Sequence, residues 1–170
     1  MLKTKPQIIL PVFLIAALLL LQGCNDEQPG IEGLTNKAAP DFNMELFDGG
    51  SFQLSEHKGK AVMINFFASW CVSCGEEVHH IQKTFEAYNK KQVAFLGVAV
   101  DDTEKKAKAF MEKNGLKIPA GLDRTGQIKE LYGLYGMPTT FFIDKKGIVS
   151  YFHAGVVTKD LMTHEIDKLL

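Results

Sequence analysis

Cys71 and Cys74 stand three positions apart in "NFFASWCVSCGEE", residues 65–77, and with Cys24 they are the chain's three cysteines. A pair at this spacing could brace the fold as a disulfide, supply half of a metal site, or exchange electrons. As a brace it is poor. Closing so short a loop removes only about 2 kcal/mol of unfolded-chain entropy, against about 4.7 kcal/mol for a 100-residue loop. As a zinc half-site it lacks a second pair: further ligands would have to come from His79, His80 or His153, and no second CxxC and no HxxxH is present. His79 and His80 are adjacent, so on a helix they point about 100° apart, which sets them against sharing one metal. Both are expected on the surface or in packing. Redox chemistry makes the best use of the position. The apolar run "AVMINFF", residues 61–67, ends shortly before Cys71 and helical spacing begins after it. Free backbone N–H groups and the positive end of a helix dipole can therefore stabilise a Cys71 thiolate. Cys71 is the expected nucleophile. Cys74, one turn on, is the expected resolving cysteine, which attacks a mixed disulfide at Cys71 and releases the substrate reduced.

The elements that must hold this pair follow from periodicity. "AVMINFF" suits a strand buried on both faces, and Val78, Ile81, Phe85 and Tyr88 predict a helix over residues 72–90. "VAFLGVAV", residues 93–100, is a second buried strand, and "DDTEKKAKAFMEKNG" is a helix with Asp102 or Thr103 as cap and Gly115 as its stop. Strand, helix, strand implies a parallel crossover. "TGQIKELYGLYG" reads as a short helix, "TTFFID" and "IVSYFHA" as strands turned by "KKG", and "TKDLMTHEIDKLL" as a closing amphipathic helix capped by Thr158. Strands joined by a short turn are antiparallel, so the fold class is α/β, a mixed central sheet with helices on both faces. Upstream, Phe42, Met44 and Leu46, then Phe52 and Leu54, alternate around Asp48-Gly49-Gly50 as a hairpin would.

With 46% apolar and 23% charged residues the chain has the composition of a folded globular domain. Its formal net charge of -1 leaves no basic excess to neutralise phosphates, which argues against a nucleic-acid binder. Lys3 and Lys5 precede "IILPVFLIAALLLL", residues 8–21, which has the basic start and apolar length of a secretory signal and falls short of the ~20 residues of a spanning helix. The following "LQGC" resembles the bacterial lipoprotein box, in which the cysteine, here Cys24, is lipidated and becomes the mature N-terminus. Gln22 departs from the small or β-branched residue usual there, and an uncleaved signal anchor is the alternative. Residues 25–37 are polar, contain Pro29, Gly30 and Gly33, and lack apolar periodicity. The expected organisation is a signal peptide over 1–23, a flexible tether over 24–37 and one domain over 38–170, exported and membrane-anchored in the cell envelope.

"VMINFFASWCVSC", "GVAVDD" and "YGMPTTFFIDKKG", with "APDF" and "LSEHKGK" before them, resemble the thioredoxin fold, specifically the TlpA/ResA type of membrane-tethered thiol–disulfide oxidoreductase, from about Pro40 to Leu170. WCxxC after a buried strand, with a distant Gly-x-Pro-Thr-Thr-Phe, is a specific pattern. The resemblance implies an N-terminal β-hairpin extension, a cis Pro138 against the cysteines, a Met137 backbone that receives an extended substrate peptide, and Trp70 as a partly exposed platform. It makes Glu77 an active-site acid that raises a thiol pKa and passes a proton, and Glu76 a solvated neighbour. Asn65 stands where thioredoxins proper carry a buried acid, and an amide cannot do that proton work. The resemblance further implies no cofactor beyond the redox-active Cys71–Cys74 disulfide, no metal, a disulfide-containing protein substrate such as apocytochrome c, as in cytochrome c biogenesis, and a membrane thiol donor. Ser73 and His79 depart from the prolines that many relatives carry, so the redox potential does not carry over. The alternative is a copper(I) chaperone using Cys71, Cys74 and a histidine such as His153. Copper carriers of this fold space their cysteines more widely. A peroxiredoxin-like peroxidase needs a threonine where Ala68 stands.

Overall fold

Seven consecutive apolar or uncharged residues, Ala61–Phe67, form strand β3, and every one of them is buried. The computed structural model describes residues 31–170. β3 is the centre of a five-stranded sheet in the order β5-β4-β3-β6-β7, with β4 at Val93–Ala99, β5 at Ala120–Leu122, β6 at Thr139–Ile143 and β7 at Val149–Ala154. β4 and β5 run parallel to their neighbours, whereas β6 and β7 run antiparallel. The mixed sheet is the one expected. Its helices are α1 (Val72–Tyr88), α2 (Glu104–Asn114), α3 (Gln127–Leu131) and α4 (Lys159–Asp167).

Alternation along β3 separates two apolar layers. Val62, Ile64 and Phe66 face Ile128 of α3, Tyr132 and the hairpin residues Phe42, Met44 and Phe52. Ala61 and Met63 face Val78 and Ile81 of α1 and Met162 and Ile166 of α4. The hairpin is formed by β1 (Asn43–Glu45) and β2 (Ser51–Gln53), with Met44 opposite Phe52. Tyr132 ties the layers of its face together: its ring lies edge-on to Phe42 and Phe141, and its buried hydroxyl donates to the Pro40 carbonyl at 3.0 Å. The caps are Thr103 for α2, whose Oγ1 accepts from Lys106 N–H, and Thr158 for α4, which accepts from Leu161 N–H. Gly115 ends α2 at φ 72°, a left-handed conformation that glycine adopts without strain.

β5 has no counterpart in the periodicity, because three residues at a sheet edge are too few to show one. Its middle residue is constrained all the same. Gly121 bridges to Leu46, and a Cβ there would meet the Glu45 carbonyl oxygen at 2.2 Å, so the hairpin docks only where no side chain intervenes. The first helix ends at Tyr88, two residues sooner than its spacing suggests.

The tether boundary is corrected. Ile31–Leu34 form a 3-10 turn, and Ile31 and Leu34 are 2% and 3% exposed within the same layer as Phe66 and Tyr132. Asn36 N–H donates to the Val149 carbonyl at 2.8 Å, and Val149 N–H donates to the Lys37 carbonyl at 2.9 Å. The folded unit therefore includes Ile31 to Lys37 and does not begin at Ala38. Two apolar residues three apart in a polar, glycine-containing stretch pack well yet produce no visible period. Truncating Leu34 to alanine should cost about 2–4 kcal/mol, as for other fully buried leucines, seen as a lower urea midpoint at unchanged slope. A midpoint equal to that of the unmodified chain would mean that this turn does not pack.

Candidate active site

Strand β3 delivers the chain to the start of α1, and Cys71 is the residue that caps it. Its backbone is extended (φ −83°, ψ 110°), and its Sγ accepts a hydrogen bond from Cys74 N–H at 3.1 Å. A sulfur at a helix N-cap thus sits where unpaired N–H groups converge and where negative charge is favoured. Cys71 and Cys74 are joined as a disulfide with their Cα atoms 5.3 Å apart. Cys71 is 7% exposed and Cys74 1%, so only the first sulfur is placed for approach from outside. The Ser73 hydroxyl lies 3.5 Å from Cys71 Sγ.

The segment before the pair is anchored by Asp102, which lies beyond β4. Its carboxylate accepts from Ser69 N–H at 2.6 Å, from the Ser69 hydroxyl at 3.0 Å and from Thr103 N–H at 2.7 Å. Trp70 is 60% exposed, yet its indole N–H donates to the Asp101 carbonyl at 2.9 Å. The ring is therefore held in place while its face stays open to solvent. On the far side, the Met137–Pro138 peptide bond is cis, and Pro138 is buried. Its carbonyl accepts from Gly155 N–H at 2.8 Å, and Met137 packs against the cluster that contains both cysteines.

Glu77, one helical turn after Cys74, is fully buried. Asn65 Nδ2 donates to its Oε1 at 2.7 Å and to Thr140 Oγ1 at 3.0 Å, while Val157 N–H donates to its Oε2 at 2.9 Å. Asn65 and Thr140 face one another across β3 and β6. Removal from water pushes the Glu77 carboxyl up to about 7, against the opposing pull of the hydrogen bonds from Val157 and Asn65. Glu76, next to it, is exposed. Thr140, the Val157 amide and Asp102 are participants that sequence reasoning did not identify. Asn65 did carry a signal, as a lone amide inside an apolar strand that must find partners when buried.

The histidines have different surroundings. His79 is exposed and His80 half-buried, but their ring centroids are 3.7 Å apart, closer than a 100° separation suggests. Side-chain torsions, as well as Cα positions, decide where such rings lie. The His153 ring Nε2 is 3.1 Å from the Val156 carbonyl oxygen. Among the described residues, no group of three or more His, Cys, Asp or Glu side chains is placed to hold a metal ion. Cys24 lies outside the described residues.

The raised carboxyl has a definite consequence for stability. Its folded pKa lies above its unfolded value of 4.5, so the fold favours the protonated form. That contribution is complete below about pH 4.5 and is lost as pH rises through about 7. Glu77→Gln should remove this dependence. The difference in unfolding free energy between the oxidised variant and the unmodified chain should change by on the order of 3 kcal/mol between pH 4 and pH 8, in the variant's favour at the higher pH. Parallel pH profiles for the two proteins would show that Glu77 titrates normally.

Residues 35–152 match the AhpC/TSA family. The thiol-disulfide oxidoreductase ResA of Geobacillus thermodenitrificans is 33% identical over 131 residues, 77% of this chain and 75% of that protein. The thioredoxin-like protein YneN of Bacillus subtilis is 32% identical over 150 residues, 87% of this chain and 86% of that protein. Among solved structures, a thiol:disulfide interchange protein DsbE from Chlorobium tepidum superposes with a TM-score of 0.73 at 29% identity, covering 79% of this chain and 96% of that one. The WCxxC helix start, the thioredoxin-like sheet and these similarities agree: the chain belongs to the AhpC/TSA family, as a thiol–disulfide oxidoreductase of the ResA type.

Proposed function

We propose that this oxidoreductase is exported, tethered to the membrane, and works as a reductase of protein disulfides. The observation that carries the reading is the asymmetry of the pair: the N-cap sulfur of Cys71 is the more accessible, and Cys74 lies beneath it with a buried carboxyl one turn on. In the reduced protein the Cys71 thiolate attacks one sulfur of a substrate disulfide. A Cys71–substrate bond forms, the substrate S–S bond breaks, and the first substrate sulfur leaves as a thiolate. Cys74 then attacks Cys71 Sγ, the Cys71–Cys74 disulfide forms, and the second substrate sulfur leaves. Two electrons pass to the substrate, which takes up two protons. Glu77, with a proton affinity near neutrality, accepts the proton that Cys74 must lose before it attacks. Trp70, Met137 and the cis Pro138 border the sulfurs and receive the substrate chain.

Tethering and direction rest on the N-terminal sequence and on redox logic. Lys3, Lys5, the apolar run and Cys24 supply a signal and a lipidation site. Outside the cytosol thiols become oxidised, so a reductase there needs recharging by a membrane thiol donor, and a tether at Cys24 keeps the domain within its reach. The substrate class is a disulfide-containing protein, apocytochrome c among the candidates. The potential of such a reductase lies nearer that of thioredoxin, about −270 mV, than that of DsbA, about −120 mV.

Cys71→Ser should abolish reduction of insulin disulfides, whereas Cys74→Ser should still attack and accumulate a mixed disulfide that thiol-free gel electrophoresis detects. Equal trapping by both variants would refute the role assignment. In cells, Cys24→Ala should abolish incorporation of radiolabelled fatty acid; persisting label would remove the lipid anchor from the proposal. A measured potential near that of DsbA would reverse the direction of electron flow.

A further inference from the structure

A groove of about 420 Å³, which Pro138 does not line, opens at Cys71 between the start of α1 and α2. Its walls are Trp70, Val72 and Gly75 from the active-site helix and Lys106, Phe110 and Lys113 from α2. Val72 is 83% exposed and Trp70 60%. These two are large apolar groups left in water next to the reactive sulfur, which marks a contact surface. Gly75 keeps the floor low: a Cβ there would come only within 4.0 Å of the Phe110 ring, so packing does not demand a glycine, and its absence of side chain leaves the groove open.

The charges on the rim are of one sign. Lys106 and Lys113 are seven residues apart, two turns along one face of α2. Among the described residues neither makes an ion pair, and no carboxylate lines the groove. Two nearby acids are engaged elsewhere, and the exposed Glu76 and Glu112 do not line the groove. Glu104 pairs with Lys108 and Arg124, and Asp102 is held by Ser69 and Thr103. Lys106 also stands in the first turn of α2, where positive charge opposes the helix dipole.

We infer that this groove holds the chain of the disulfide substrate on one side of the attacked cysteine, and that it selects segments with an apolar residue next to that cysteine and acidic residues beyond. The apolar side chain lies on Trp70, Val72 and Phe110, and the carboxylates lie within reach of Lys106 and Lys113. Complementary charge of this kind chiefly raises the encounter rate and fixes register, and salt screens it. The inference rests on the disulfide-exchange reading of Cys71 and Cys74 and adds a substrate preference to it.

The test uses two synthetic disulfide-bridged peptides of the same sequence around the cysteines, one flanked by glutamates and one by lysines, with neutral hydroxyethyl disulfide as a third substrate. At low ionic strength the unmodified protein should turn over the acidic peptide about tenfold better in kcat/KM than the basic one, and the advantage should shrink in 0.5 M salt. The surface variant Lys106→Glu/Lys113→Glu should invert the ratio, and Lys106→Gln/Lys113→Gln should bring it close to one. A ratio near one in the unmodified protein, or one that the charge reversal leaves in place, overturns the groove while leaving disulfide exchange intact. Failure to reduce all three substrates overturns the exchange reading and the groove with it.

Discussion

A carboxyl group that water does not reach organises the redox end of this molecule. Glu77 belongs to α1, but the groups that satisfy it come from β3, from β6 through Asn65, and from the loop that leads into α4. Burying an unpaired carboxylate costs several kcal/mol, so these partners cannot be absent without a charge stranded in the core. They offset the cost only in part. The remainder appears as a proton affinity near neutrality, which is a useful property in a group beside a thiol that must lose its proton. The acid–base capacity of the site and the packing of four elements are thus one arrangement seen from two sides.

Stability, by contrast, does not reside at the sulfurs. A loop as short as that between Cys71 and Cys74 contributes about 2 kcal/mol at most through its closure. The apolar layers on the two faces of β3 contain many fully buried side chains, among them Met63, Phe66, Tyr132, Phe141 and Phe142, and each such side chain is worth about 2–5 kcal/mol on truncation. The pair can therefore open and close without threatening the fold. The N-terminal turn at Ile31–Leu34 and the hairpin belong to this stabilising machinery. They cover the face of the sheet opposite α1, which α3, a helix of five residues, is too short to cover alone.

Sequence made the scaffold legible wherever a pattern repeats. The run at 61–67, the i, i+3, i+4 spacing after Cys74 and the cap at Thr103 each produce their element within two residues, and the helix capped by Thr158 ends three residues before the expected Leu170. Isolated features escaped. β5 has three residues, and Ile31 with Leu34 is a single pair without a period. At the site, the cysteines, Glu77 and Pro138 were visible by motif and resemblance. Of Glu77's two direct partners, Val157 was hidden because it lies 80 positions away and acts through its backbone, which carries no residue identity to read. Asp102 was ambiguous for a related reason. It was one of two cap candidates, and only the fold shows that Thr103 takes the cap while Asp102 fastens the loop before Cys71.

The placement of the site follows from strand direction more than from any single residue. β3 and β6 are neighbours running in opposite senses, with Phe66 opposite Thr139. The end of β3 and the beginning of β6 therefore meet at the same edge of the sheet, and the WCxxC turn and Met137–Pro138 lie beside each other although they are more than 60 positions apart in the chain. β4, on the other flank of β3, runs parallel to it, and β5 runs parallel to β4, so the chain leaving β4 at that edge crosses to β5 through α2. A reactive sulfur at this point is bordered by unlike surfaces: a tight backbone turn on the β6 side and an open helix face on the β4 side. The substrate chain proposed to cross Cys71 would be gripped on both sides of its own sulfur. Backbone geometry on one side accepts many sequences, and side-chain chemistry on the other can discriminate among them.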